Sequence, residues 1–434
     1  IHAYKNYGTT GSQPSGAYLT YSMVYDTTLK TYPTSATNPL GHTMQVGYDY
    51  GQGLPTSVTD PNNNTTTTAY DGLGRAIEVT YPGYGQPNVK YTYPTPPVSA
   101  PFAFKAETLD ESASPAVYRS AWQVMDGLGR VIQTQGPYEI DGYLSLTDAS
   151  YNALGLTLST GLPRALSGAG GTYFVPSWGS IPHNTTSYDA LGRVVSVQYP
   201  DASVQSTSYS GLRVGTIDRN NHQKVRESDA FGRLTKVEEY LGSGTYTLYA
   251  TTTYAYDPRN LLKQITDAQS SQITINYDGF GRKISMSDPD MGNWTYTNYD
   301  VFGNLGLQTD GRGCTTTVTY DDLNRPLQKS FAGPDACATT PSVTYTYDSI
   351  TAGNEGIGRR TGMSDGSGST SWFYNRLGQP TDETHNIDST NYQLDSTFDA
   401  FNRPLTQSLP SGEALDYDYN AMGALSSLSG TSTY

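Results

Sequence analysis

At 434 residues, with 35% hydrophobic and only 15% charged residues, Gly 45, Pro 25 and Tyr 37, the chain is too aromatic and too weakly charged to be disordered. Lys+Arg 26 against Asp+Glu 40 leaves a net charge of −14, which excludes binding driven by clustered cations to nucleic acid or anionic membranes. Tyr, Thr, Val and Ile suit a pleated surface, and Gly, Asn, Asp and Pro suit turns, so the fold class is all-β. No apolar run reaches the roughly eighteen residues needed to span a bilayer. The chain opens at Ile1 with neither Met nor a signal-peptide pattern, which suggests a processed product or an excerpt of something longer.

Residues 1–47 read as an irregular β segment, with strand-like pieces such as Tyr18–Tyr25 and no clear turn signature. The array proper, 48–434, opens at Tyr48-Asp-Tyr-Gly-Gln-Gly-Leu and continues at Tyr70-Asp71-Gly-Leu-Gly74-Arg75. The Pro-rich Tyr93–Pro101 and then Phe102–Tyr118 interrupt it, and 93–118 is expected to be a loop insertion. The pattern resumes at Met125-Asp126-Gly-Leu-Gly129-Arg130 and Tyr151-Asn-Ala-Leu-Gly155; a second Gly- and Pro-rich insertion follows near 161–182. Insertions in repeat arrays usually map to one face, so both are expected to project from the sheet.

From Tyr188-Asp189-Ala-Leu-Gly192-Arg193 the beat is steady. Tyr209 follows after 209 − 188 = 21 residues, and Asp229-Ala-Phe-Gly232-Arg233 continues the series. Tyr256, Tyr277, Tyr299 and Tyr320 are then spaced by 21, 22 and 21, through Tyr277-Asp278-Gly-Phe-Gly281-Arg282 and Tyr299-Asp300-Val-Phe-Gly303. Looser units stand at Tyr347, Tyr374 and Phe398, and Tyr419 follows Phe398 by 21. A period near 21 residues holds two short strands, a tight turn and a longer connection, and such self-similarity decides the fold: tandem β-hairpin repeats in a long curled or spiralling antiparallel sheet.

The residues explain the unit. Ile273, Ile275 and Tyr277 share one face of a strand, Thr274 and Asn276 the other. Asp at the head of the turn can accept backbone N–H groups, and Gly three places later suits positive φ. Asn324 and Asn402 replace that Gly, as the non-Gly residue that best tolerates a left-handed backbone. The Arg after the Gly has two readings: its stem covers a neighbouring Tyr ring in a cation–π contact, or it is solvated at the sheet rim.

Cys314 and Cys337 occupy matching places in successive repeats, each shortly before a strand ending in Tyr-Asp. A disulfide is expected there, worth about 3 kcal/mol by loop entropy, and would imply an oxidising compartment; the alternative is two unpaired small core residues. His2, His42, His183, His222 and His385 have no metal-ligand spacing, and no cofactor is expected. There is no nucleophile elbow, zinc-protease motif or phosphate-binding loop. Asp288 and Asp290 could serve glycoside cleavage only at the right separation, but turn-forming acids recur in every repeat. Asp60-Pro-Asn-Asn-Asn64 lacks the glycine and the terminal glutamate of a calcium loop.

Tyr-Asp-x-x-Gly-Arg units at this spacing resemble the YD repeats of the RHS family, over roughly Tyr48 to Tyr419. That family includes bacterial polymorphic toxins, the cocoon-forming subunits of insecticidal Tc toxins and the extracellular part of teneurins. The resemblance implies a hairpin ribbon spiralling into a hollow shell, around a toxic domain in the toxins and carrying adhesion modules in teneurins. The self-cleaving Asp-Pro-x-Gly element of toxin members is not matched: Asp288-Pro289-Asp-Met-Gly292 puts the glycine one place late. The expected function is therefore non-enzymatic: the wall of a shell enclosing a polypeptide, or an extracellular scaffold, secreted or at the cell surface. The alternatives are an adhesin using the insertion loops, and a filament joined through open sheet edges. An enzyme acting on polysaccharide is the outsider.

Overall fold

A computed structural model of the chain describes residues 2–4, 18–95, 99–113, 115–140, 142–334 and 336–431. Strand Ser22–Tyr25 pairs antiparallel with Pro33–Thr37, that with Thr43–Asp49, and so on to Ala414–Tyr419 paired with Leu425–Thr431. These form one sheet of 35 strands that does not close into a barrel. Among the described residues, Ser22–Tyr25 and Leu425–Thr431 each pair on one side only.

Each Tyr-Asp unit is a hairpin closed by a β-bulge. Ile275 faces Met286 and Asn276 faces Ser285, and then the register slips so that Tyr277 faces Lys283. The same slip occurs between Ser187 and Tyr188 and between Thr319 and Tyr320. The glycine that permits it is at φ +82° in Gly281, and Asn324 and Asn402 adopt φ 63° and 65° in its place.

The sheet is one layer thick over most of its length. Along Leu415–Tyr419, residues Leu415, Tyr417 and Tyr419 are half-buried while Asp416 and Asp418 are exposed. Gly292–Thr297 repeats this, with Trp294 and Tyr296 half-buried against exposed Asn293, Thr295 and Thr297. The accessible surface is 25016 Å², against about 16,000 Å² for an ordinary compact protein of 47.0 kDa. That excess is what a sheet without a second layer produces.

A thicker region lies where the second insertion falls. Tyr143–Tyr151 forks: its first half pairs with Arg164–Ser167 and its second half with Thr157–Gly161. Leu109, Val124, Leu144 and Leu146 are buried here. The 161–182 stretch does not project, as its Gly and Pro content suggested, but folds back on the sheet. The Gln133 amide donates to the Phe174 carbonyl at 2.8 Å, and the Gln135 amide to that of Thr172 at 2.6 Å. Gln135 also accepts the Gly171 N–H at 2.8 Å. Gly170 and Gly171 lie against the Trp122 indole, where any larger side chain would collide.

Two other stretches differ from the sequence reading. Phe102–Asp110, within the expected 93–118 insertion, is a nine-residue strand of the ladder, pairing with Val89–Thr92 and Val117–Met125. The N-terminal 1–47 is regular from Ser22 onward. Its turn is at Asp26, whose carboxylate accepts the N–H groups of Thr28 (3.1 Å), Lys30 (3.0 Å), Thr31 (2.8 Å) and Tyr32 (2.9 Å). Lys30 at φ 51° stands where glycine would mark the turn.

Candidate functional site

The sheet has two long edges, one of Tyr-Asp turns and one of connections. The turn chemistry is local. Asp278 Oδ1 accepts the N–H groups of Phe280 and Arg282, both at 2.9 Å, and Oδ2 accepts Arg282 Nε at 2.6 Å. The Arg282 guanidinium then lies 4.7 Å from the centre of the Tyr299 ring in the next hairpin. The same arrangement holds at Asp71/Arg75, Asp126/Arg130, Asp189/Arg193 and Asp229/Arg233. Arg75, Arg130, Arg193 and Arg233 cover Tyr93, Tyr151, Tyr209 and Tyr256. At Asp300, whose turn carries Gly303, the Asn304 amide replaces the arginine at 2.8 Å.

Tyr completes the joint. The Tyr277 hydroxyl donates to the Leu262 carbonyl at 2.8 Å, Tyr299 to Lys283 at 2.6 Å, Tyr188 to Thr157 at 2.7 Å and Tyr70 to Pro55 at 2.8 Å. Each unit is thus bolted backward through its Tyr and forward through its Arg. Burial pushes the Tyr277 and Tyr299 phenols up. The N–H and guanidinium of Arg75 hold the Asp71 carboxyl below its usual range, and those of Arg193 do so for Asp189.

The second feature is a seam, formed where the ribbon meets itself 289 to 295 residues later. The Asn62 amide donates to the Ile357 carbonyl at 3.1 Å and accepts the Ile357 N–H at 2.8 Å. Asn64 Nδ2 donates to Glu355 Oε2 at 3.0 Å. Arg403 Nη2 donates to Asp110 Oδ1 at 2.8 Å, and the Ala400 N–H to Glu111 Oε2 at 2.8 Å. The Tyr81 and Phe401 rings meet edge-on at 6.3 Å, and His42 Nε2 stands 3.7 Å from Asp348. Every contact runs the same way: turns of the later lap sit on connections of the earlier one. Asp110 is only 4% exposed; its burial favours the neutral form, but hydrogen bonds from Ser112, Arg119 and Arg403 prevail and hold it down at about 2.

The sequence reading identified the turn residues but not the seam. Asn62, Asn64, Asp110 and Glu111 carry no periodic mark, and their partners lie a whole lap away. Asp288 is a turn former, accepting the N–H groups of Asp290 at 2.9 Å and Met291 at 3.0 Å. Cys314 and Cys337 lie on neighbouring connections, sulfurs bonded and Cα atoms 5.7 Å apart. Among the described residues no group of three or more His, Cys, Asp or Glu gathers as a metal site, and no helix is long and apolar enough to cross a membrane.

Residues 48–86 and 256–292 match the RHS Repeat family model. No curated protein matches the sequence. Among solved structures, the crystal structure of TcdB2-TccC3 superposes with a TM-score of 0.82 at 17% identity, over 95% of this chain and 25% of that one. The Photorhabdus luminescens Tc holotoxin pore gives 0.81 at 16%, over 95% and 27%, and TcdB2-TccC3-TEV gives 0.78 at 16%, over 99% and 29%. The chain therefore spans about a quarter of the length of these structures and shares their fold. With the two matched stretches, the repeated bulged hairpin and its Tyr-Asp-Arg joint, the chain belongs to the RHS/YD-repeat family.

Proposed function

We propose that the chain is a structural wall segment of a hollow β-shell that encloses a polypeptide outside the cell. The observation that carries this reading is the seam. A ribbon that returns every 289 to 295 residues and locks onto its own edge makes a continuous wall around a space. The large accessible surface and the half-buried Tyr face support it, because bending a single sheet crowds side chains on the concave side and spreads them on the other. Turn acids engaged with their own Arg and backbone are spoken for structurally, which favours a wall over a catalyst. A disulfide between neighbouring connections fits an oxidising, extracellular setting. Likeness to TcdB2-TccC3 supports the shell architecture.

The test is protease protection. The protein purified from its native source is treated with proteinase K in buffer, and again in urea sufficient to open the seam. Enclosure predicts a polypeptide distinct from residues 1–434 that survives in buffer and disappears with urea. Digestion of everything outside the wall at the same rate in both conditions contradicts enclosure.

A further inference from the structure

The exposed apolar residue at each turn tip has no use within its own hairpin. Leu73, Leu128, Leu154, Leu191, Phe231 and Phe280 occupy the place before the turn glycine, and are 75–88% exposed. Solvated loops do not need a large apolar residue at the same place in hairpin after hairpin. The seam shows what covers such a tip. Phe401, in the equivalent place, falls to 38% exposure because it packs on Tyr81 of the earlier lap, while Arg403 behind it reaches Asp110 and the Ala400 N–H meets Glu111.

Resting on the wall reading above, we propose that the free turn edge between Leu73 and Phe280 docks the free connection edge of a second copy of this chain, in the manner of the internal seam. Both halves of the joint are present in one molecule. The turn edge offers apolar tips backed by Arg75, Arg130, Arg193, Arg233 and Arg282. The connections beyond residue 138 carry acids, among them Asp201, Asp218, Asp267 and Asp290, as the seam connections carry Asp110 and Glu111. The contact is continuous with an interface the fold already makes. Because unlike edges meet, it does not close on itself, and copies stack into a tube. This joint differs from strand-end pairing, since no backbone ladder crosses it.

Sedimentation velocity of the full chain from about 1 µM to about 100 µM, with the triple variant L128D/L191D/F231D alongside, tests this. The backbone N–H bonds to the turn Asp do not involve these side chains, and circular dichroism checks the fold; L128S/L191S/F231S serves if the Asp set fails to fold. The expected result is mass rising with concentration for the wild type, and a monomer for the variant. An equimolar mixture should give a complex of one variant and one wild-type chain, since the variant keeps its connection edge. A wild type that stays monomeric throughout, or a variant that associates as well as the wild type, overturns the proposal. A monomeric wild type whose enclosed polypeptide still resists protease leaves the wall reading standing.

Discussion

Asn62→Ala removes the two hydrogen bonds by which the Asn62 amide grips the Ile357 N–H and carbonyl across the seam, and little else. The turn it sits in is held by Asp60, whose carboxylate accepts the backbone N–H groups of Asn62 and Asn64 at 2.9 Å and 2.8 Å, and these remain. The left-handed residue of that turn is Asn63, so alanine at 62 meets no backbone strain. Each lost bond is worth about 1 kcal/mol, so the seam should weaken locally by about 2 kcal/mol. If opening of the seam controls exchange, the Ile357 amide should exchange about 30-fold faster, while strands far from the seam, such as Gln272–Tyr277, keep their protection. Hydrogen exchange read by mass spectrometry on peptides spanning 353–360 measures this. Unchanged exchange there, with the variant folded, would refute the claim that these contacts hold the laps together.

Four further outcomes are expected. Gly281→Ala, at φ +82° with only ordinary contact to Leu261, should lower stability by about 1–2 kcal/mol, and Gly281→Asn by less, since Asn324 and Asn402 take the same conformation; thermal melts rank them. Asp278→Asn should lower the melting temperature less than Asp278→Ala, because Asn keeps the acceptor for the Phe280 and Arg282 N–H groups; equal losses would contradict the turn chemistry. Asp110 titrates at about 2 when folded and near 3.9 when unfolded, so its stabilisation is complete above about pH 4 and is lost as pH falls toward 2; a melt series should show a plateau above pH 4 and a decline below it. Reducing the bridge between Cys314 and Cys337, 23 residues apart, should cost about 3 kcal/mol, and C314S/C337S should reproduce the loss in denaturant titrations.

What could be read in the sequence was what is local. Asp278, Gly281 and Arg282 act on one another within a few residues, so their spacing reveals their chemistry. Of the two readings of the Arg, the structure places Arg282 over Tyr299, a contact one hairpin away and still within reach of the repeat period. Tyr25-Asp26 was missed because its turn lacks glycine, although 48 − 25 = 23 keeps the period. Phe102–Asp110 was missed because the prolines before it broke the turn word, although its pairing is regular. The fold-back of 161–182 depends on Gln133 and Gln135, which read as ordinary polar strand residues until their buried amides find loop carbonyls. The seam leaves no trace in sequence, since Asn62 and Ile357 are brought together only by the curvature accumulated over a lap.

The central claim is that one sheet, a single layer thick for most of its length, coils over itself around an open space. Cryo-electron microscopy of the purified chain, at a concentration below any self-association, tests it most directly. The account predicts a curved wall about one sheet thick, low density within, and continuous density joining residues 60–64 to 355–357. A compact particle of two sheets packed about 10 Å apart, with no internal void, would contradict it.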